Sequence, residues 1–353
     1  MMLALAALGA GCEQQDGPTE TSIPWKIEPF PTVPDDGLDP VVRDARSDLG
    51  RILFFDPILS ADSQTACGTC HSEIWGMSDG LPRSIGHGAG ILAGPGRKGG
   101  PIHRRNAPHL WNLAFRDAFF RDGRETSLEV QALAPMYESG ELDRDPEAAV
   151  AEMRSIDEYV MRFEAAFPGE PEITIDQLAS ALATFQRGLV SDRALYDAYV
   201  DGDAYALNDD DVAGMQLFAG HGCANCHAPP LFETDAYYDR GVPGLDDVDG
   251  IDPDEGRYEV TGLEADRNAF RVPSLRNVIF ADPFFHDGSV TRLEDAVRHE
   301  LEQGTLPFDD ADVRLITAFV TNALNDERLE PQRPKEVPSG LEVPFDGTVV
   351  IRF

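Results

Sequence analysis

Apolar residues recur along this chain at three- and four-residue steps, and long stretches of strict alternation are absent, so helices rather than strands are expected. Asp145-Pro146 reads as an N-cap and first helical residue, after which Val150, Met153, Val160, Phe163 and Phe167 fall on one face. Thr174 caps a second predicted helix, with Leu178, Leu182, Phe185 and Leu189 on its apolar stripe. A third runs from Asp310 to Leu324, with Val313, Ile316, Phe319, Val320 and Ala323 inward. Asn208, followed by acids that suit the positive end of a helix, caps a fourth. That helix carries Gly214-Met215-Gln216-Leu217-Phe218, which repeats the pattern of Gly50-Arg51-Ile52-Leu53-Phe54 and suggests two copies of one unit. Gly86 to Gly100 reads as a glycine-rich loop.

Each copy is followed by the same short motif: Cys67-Gly68-Thr69-Cys70-His71 and Cys223-Ala224-Asn225-Cys226-His227. This is C-x-x-C-H, the attachment signature of c-type haem. Two thiols add to the porphyrin vinyl groups, and the adjacent histidine binds iron from the proximal side. A redox dithiol or a shared four-cysteine zinc site are the alternatives. Against zinc, the pairs lie 156 residues apart and each carries its own histidine. The chemistry therefore predicts two covalent haem c groups, attached at Cys67 and Cys70 and at Cys223 and Cys226, with His71 and His227 as iron ligands. The expected fold is mainly α, with two tandem cytochrome c-like haem domains at residues 23–200 and 201–330 of the 353-residue chain. An extended tail covers 331–353.

The fifth cysteine, Cys12, ends an apolar run that is too short to span a bilayer. Residues 1–22 read as a leader and flexible linker, either a lipoprotein signal with Cys12 as the lipidated residue or a plain secretory signal. Either way the expectation is an exported protein, periplasmic or at the cell envelope; with the lipoprotein signal its membrane contact is a lipid anchor at Cys12. The balance of 29 Lys and Arg against 63 Asp and Glu gives a net charge of −34. That excludes nucleic acid as a partner; it would steer a cationic protein inward, or serve solubility in salt. The acidic runs Asp201–Asp211 and Asp246–Glu255 read as solvated loops; Asp249, Asp252 and Asp254 lack EF-hand spacing.

From Leu49 to Leu324 the chain resembles the bacterial di-haem cytochrome c peroxidases, a family that includes MauG-type enzymes oxidising tryptophan in partner proteins. The resemblance rests on Leu49–Asp56, both haem motifs, Ser84-Ile85-Gly86-His87-Gly88, Arg105-Asn106-Ala107-Pro108, Asp122-Gly123-Arg124, Leu128–Ala132, Val272–Asn277 and Phe285–Ser289. It implies that the N-terminal haem reduces hydrogen peroxide while the C-terminal haem passes electrons in. It further implies that His87 is a releasable second ligand of the N-terminal haem. Glu141, ten residues after Gln131, becomes the acid-base, with Gln131 a second catalytic candidate and Glu138 the fallback. Asn106 matches a residue associated with a calcium ion between the domains. The implied electron donor is a small cytochrome or cupredoxin. The oligomeric state stays open, a homodimer included.

Two positions depart from the family. Arg121 stands where a tryptophan often lies between the haems, and a guanidinium cannot relay a hole. The distal ligand of the C-terminal haem is Met in typical peroxidases and Tyr in MauG-type enzymes; here that position falls on Glu300, with His299 beside it. Harder N or O ligands lower a haem potential relative to thioether. Peroxidase is the leading reading. A MauG-like enzyme using a peroxide-derived oxidising equivalent on an aromatic residue of a partner protein is the alternative, and a pure electron carrier is disfavoured by Glu141.

Overall fold

A computed structural model describes residues 23–242, 253–327 and 332–347; the leader with Cys12 lies outside them, as do Asp249 and Asp252. Helices dominate, and the strands present are two-residue pairs. The first long helix, Pro40–Phe55, starts on the Asp39 side chain and packs Leu49, Ile52, Leu53 and Phe54 into a core. It crosses the helix Ile175–Arg187, which begins with the predicted Thr174 cap and a reciprocal Gln177 bond. The crossing needs Gly50: a Cβ there would sit 1.9 Å from the Ala181 carbonyl oxygen. The second unit repeats the contact. Helix Asp209–Gly220, capped by Asn208, crosses helix Asp310–Ala318, and a Cβ at Gly214 would sit 2.0 Å from the Leu315 carbonyl oxygen. The G-x-x-L-F repeat is thus a packing device, with the glycine where two backbones touch.

One predicted helix differs. The stretch after Pro146 is two helices, Pro146–Met153 and Asp157–Ala166. Between them Ser155 donates its hydroxyl to the Glu152 carbonyl at 2.6 Å, and Ile156 is extended. The break turns the register, so Val160 points outward while Phe163 and Phe167 stay buried. The helix from Asp310 reaches Leu324 as expected, but its end, Phe319–Ala323, widens into a π turn.

Two separate cores result. One gathers Leu49 to Leu189, and the other gathers Tyr196 to Leu324. The chain ends cross over. Trp25 packs in the second core, its indole N–H donating to the Tyr196 hydroxyl at 2.9 Å. From the other end, Val337 joins the first core, and Phe345–Asp346 pairs in parallel with Leu92–Ala93.

Candidate haem sites and the cavity between them

The Cys67–Cys70 segment is one helical turn, held at its start by Ala66 N–H donating to the Thr69 hydroxyl at 3.0 Å. Gly68 is obligatory because the Phe55 ring would lie 2.3 Å from a Cβ there. His71 follows, and its Nδ1 lies 2.9 Å from the Met77 carbonyl oxygen. A carbonyl only accepts, so Nδ1 carries the proton and Nε2 keeps a free lone pair. His227 is set the same way, its Nδ1 shared between the carbonyls of Phe232 at 3.2 Å and Pro273 at 3.1 Å. Burial lowers the pKa of both imidazoles, so both are neutral, as an iron ligand must be. The four thiols are free. Burial pushes Cys67 up to about 12 and Cys223 up to about 11, which keeps both as thiols and makes them poor redox nucleophiles.

All six motif side chains line one cavity of about 1060 Å³. That is at the top of the range of roughly 300–1,000 Å³ for a site holding a single small ligand. Over the Cys67–His71 end stand Gln131, Glu138 and Glu141. Pro135 stands near the C-terminus of helix Leu128–Tyr137, and the chain turns back at Glu141, whose N–H donates to the Glu138 carbonyl at 2.9 Å. Burial raises the Glu141 pKa, and the charge of His103 opposes it. His103 Nε2 is anchored 2.8 Å from the Gly140 carbonyl oxygen. The Gln131 side-chain oxygen is buried without a partner, free for a ligand. Glu300, whose charge acts on Cys223 and His227, lines the cavity too, as do Leu301, Gln303 and Leu306. Glu300 accepts from Arg240 Nε at 2.8 Å.

A profile of the di-haem cytochrome c peroxidase family matches residues 44–205. Cytochrome c551 peroxidase of Nitrosomonas europaea is 37% identical over 285 residues, 80% of each chain. Methylamine utilization protein MauG of Methylorubrum extorquens is 37% identical over 257 residues, 72% of this chain and 68% of that one. Among solved structures, a MauG-like protein associated with microbial copper homeostasis aligns with a TM-score of 0.71 at 25% identity, covering 87% of this chain and 98% of that one. The chain belongs to the di-haem cytochrome c peroxidase family. Its mainly helical fold and its two haem c groups follow from that membership, and the site fits them: two thiols and a neutral, oriented imidazole at each end of one cavity. Among the described residues no three His, Cys, Asp or Glu side chains converge as a metal cluster of the zinc type.

For a di-haem peroxidase the remaining sequence candidates fall unevenly. Glu141, Gln131 and Glu300 line the cavity; His87 and His299 do not. His87 is turned toward Asp143, Nε2 to carboxylate 3.9 Å, and its Nδ1 is buried without a partner. His299 is turned away from the cavity: its Nε2 lies 2.8 Å from the Arg240 carbonyl oxygen, with its ring edge-on to Phe285. The reason is helical, since neighbours at i and i+1 leave a helix in different directions, and Glu300 takes the inward one. The calcium expectation at Asn106 is not shown. Its side-chain oxygen accepts from the Arg121 guanidinium, and its side-chain N–H donates to the Pro283 carbonyl at 2.9 Å. A fixed cation already faces that oxygen, so a calcium ion there would meet like charge. Asp254 is likewise engaged, by Arg105 at 2.8 Å. Trp75 and Trp111 stand outside the cavity lining.

A second repeat joins the two halves. Residues 105–136 and 270–301 share a backbone course at an offset of 165 positions: Asn112 and Asn277, Phe120 and Phe285, and Gly123 and Gly288 all have positive φ. The bridges Phe119–Glu125 and Phe284–Val290 correspond, as do the helices starting at Leu128 and Leu293. At this offset Glu141 corresponds to Leu306, and both line the cavity.

Proposed function

We propose that this protein reduces hydrogen peroxide to water at the Cys67–His71 site, with electrons entering through the Cys223–His227 site. One observation carries the assignment of ends. A carboxyl, Glu141, lines the cavity at the N-terminal site, and the residue 165 positions on, Leu306, is an isobutyl group. Splitting peroxide to water requires a proton to move from one oxygen to the other; the buried Glu141 can move it, whereas the carboxyl at the other end, Glu300, is held by Arg240 at 2.8 Å.

Burial raises the Glu141 pKa above the ordinary glutamate value, which suits a group that must both take and give a proton. His103, at its side, opposes that rise. The unpartnered oxygen of Gln131 can accept from the peroxide hydroxyl and orient it. A bound c-type haem supplies the electrons that cleave the O–O bond. The overall balance is one peroxide, two protons and two electrons giving two waters.

The net charge of −34 supports a small cationic electron-donor protein as the partner. The haem chemistry and the leader support a cell-envelope location with an anchor at Cys12. The MauG-like alternative, oxidation of an aromatic residue of a partner protein, has one observation in its favour: an O-donor side chain, Glu300, at the C-terminal distal position. The test is stopped-flow mixing of the holoenzyme with peroxide, with and without a reduced basic cytochrome. Catalytic oxidation of the cytochrome that collapses in Glu141→Gln supports the peroxidase. Slow cytochrome oxidation with covalent modification of a partner protein supports the alternative.

A further inference from the structure

We propose that Arg97 and the C-terminal strand Phe345–Asp346 clamp the loop that bears His87, making Arg97 a positioning residue for the peroxide site. The proposal rests on the peroxidase reading and adds to it a device that limits how His87 can move. It starts from a buried cation that pairs with no carboxylate. Arg97 is 3% exposed, and its guanidinium makes five hydrogen bonds. Nε donates to the Ile85 carbonyl at 2.8 Å. One terminal nitrogen donates to the carbonyls of Gly90 at 2.6 Å and Leu92 at 2.8 Å. The other donates to the Gly86 carbonyl at 2.7 Å and the Thr65 hydroxyl at 2.9 Å. A guanidinium has five N–H donors, so all are engaged, four of them on the backbone of one loop.

These bonds fall on both sides of His87. Ile85 and Gly86 are held before it, and Gly90 and Leu92 after it. The far side is fixed a second time by the tail. Phe345 N–H donates to the Ile91 carbonyl at 3.2 Å and Gly347 N–H to the Ala93 carbonyl at 3.1 Å. The tail is itself tied to the proximal side of the site. The Asp346 carboxylate accepts from the Ser72 hydroxyl at 2.5 Å and from Arg333 at 2.6 Å, and Ser72 follows the iron ligand His71. The near side has no slack either, since a Cβ at Gly86 would lie 1.7 Å from the Gly140 carbonyl oxygen.

Only His87-Gly88-Ala89 remains between the held points. It is retained by two single backbone links: His87 N–H to the Glu141 carbonyl at 2.8 Å and Gly88 N–H to the Asp62 carboxylate at 2.6 Å. Gly88 has φ of +81° and open space where a Cβ would be, so this bridge can turn without collision. Three residues between fixed ends permit a local flip of the imidazole and forbid a large excursion of the loop. The clamp therefore favours the conformation seen here, with His87 out of the cavity and Glu141 in it.

Hydrogen exchange of residues 85–92 and the spin state of the N-terminal haem test this in the holoprotein. The variants are Arg97→Lys, a truncation after Ser339 that keeps Val337 in the core, and each of these combined with His87→Gly. Arg97→Lys is expected to speed exchange across the loop at least tenfold and to raise the low-spin fraction, because His87 gains reach. Truncation should do the same more weakly. In the His87→Gly background the spin-state effect should vanish while the faster exchange persists. Unchanged exchange in Arg97→Lys would overturn the clamp. Faster exchange with no spin change in the otherwise wild-type protein, or an equal spin change in the His87→Gly background, would overturn the positioning role. Neither result would bear on peroxide turnover through Glu141, which is read separately.

Discussion

Arg121 and His286 occupy the same place in the two halves of the chain, and each receives a backbone bond from the other half. Arg271 N–H donates to the Arg121 carbonyl at 2.7 Å, and Asn106 N–H donates to the His286 carbonyl at 2.8 Å. The joint between the haem units is therefore an approximate twofold exchange, and Arg121 is the fixed cation beside it. The guanidinium meets the Asn106 backbone carbonyl at 3.3 Å as well as its side-chain oxygen.

Replacing this cation has two expected consequences. Arg121→Leu leaves the Asn106 oxygens buried without their donor, at a cost of about 1–3 kcal/mol read from urea unfolding. It also removes a positive charge from beside His286. Burial first, and then Arg121, push the His286 pKa down to about 4 against the opposing pull of Asp287. The variant should raise it, measured by histidine C2 hydrogen exchange. A His286 pKa that stays put would show that burial alone sets it.

Glu141→Gln should lose about 10²- to 10⁴-fold in peroxide reactivity while leaving both haem spectra unchanged. The pH profile adds a sharper check. The carboxylate form must accept the first proton, and burial raises the pKa of this group. Activity should therefore rise with pH through a limb placed above the ordinary glutamate range, and that limb should disappear in the Gln variant. His103→Ala removes the neighbouring charge that opposes the rise, so the limb should move further up.

Covalent haem at both motifs is checked by mass. The holoprotein should exceed the polypeptide by two haems, and colour should stay with the protein through acid-acetone extraction. Cys223→Ala with Cys226→Ala should drop the mass by one haem. Two haems in that double variant would remove the second attachment site.

Asp62 gives an acid-stability prediction. Burial would raise its pKa, but hydrogen bonds from Gly88, Ser60, Gln64 and Thr65 outweigh it and hold the carboxyl at about 2. A depressed folded-state pKa contributes stability that is present above the ordinary carboxylate value and is lost as pH falls toward about 2. Asp62→Asn should therefore unfold at lower urea than wild type at pH 7, and the gap should narrow on acidification. A constant gap would mean that Asp62 acts through packing alone.

What the sequence makes legible is set by local chemistry. C-x-x-C-H, the Thr174 and Asn208 caps and the Gly50 and Gly214 crossings depend on near neighbours or on one required residue type, and the structure holds them at those positions. Glu141 is reached by counting from Gln131, and it lines the cavity because Pro135 and the following turn carry it back over the site. His103 reads as surface or packing, because nothing adjacent in sequence reveals that Gly140 holds it beside Glu141. His299 and Glu300 cannot be told apart without the helix phase. The repeat linking Arg105–Met136 to Phe270–Leu301 does leave a trace in the sequence, since Phe119-Phe120-Arg121-Asp122-Gly123 and Phe284-Phe285-His286-Asp287-Gly288 stand 165 positions apart. That offset alone pairs Glu141 with Leu306.

Glu300 is a testable influence on the C-terminal haem. Its carboxylate lines the cavity and is held by Arg240 at 2.8 Å, with both side chains about a third exposed, so the pair adds little to stability. Its influence is electrostatic: the negative charge acts on both His227 and Cys223. With a haem bound at Cys223 and Cys226, a carboxylate acting on His227 would favour the oxidised, more positive iron, and an O donor would do so more than a thioether. Glu300→Met should therefore raise the potential of the C-terminal haem and produce the long-wavelength charge-transfer band of Met ligation. Glu300→Gln should raise the potential without that band. Uptake of electrons from a reduced cytochrome should quicken in both variants, and the N-terminal spectrum should not move. If neither substitution changes the potential in a spectroelectrochemical titration, Glu300 does not act on the iron, and the difference between this protein and Met-ligated peroxidases must be sought in Arg121.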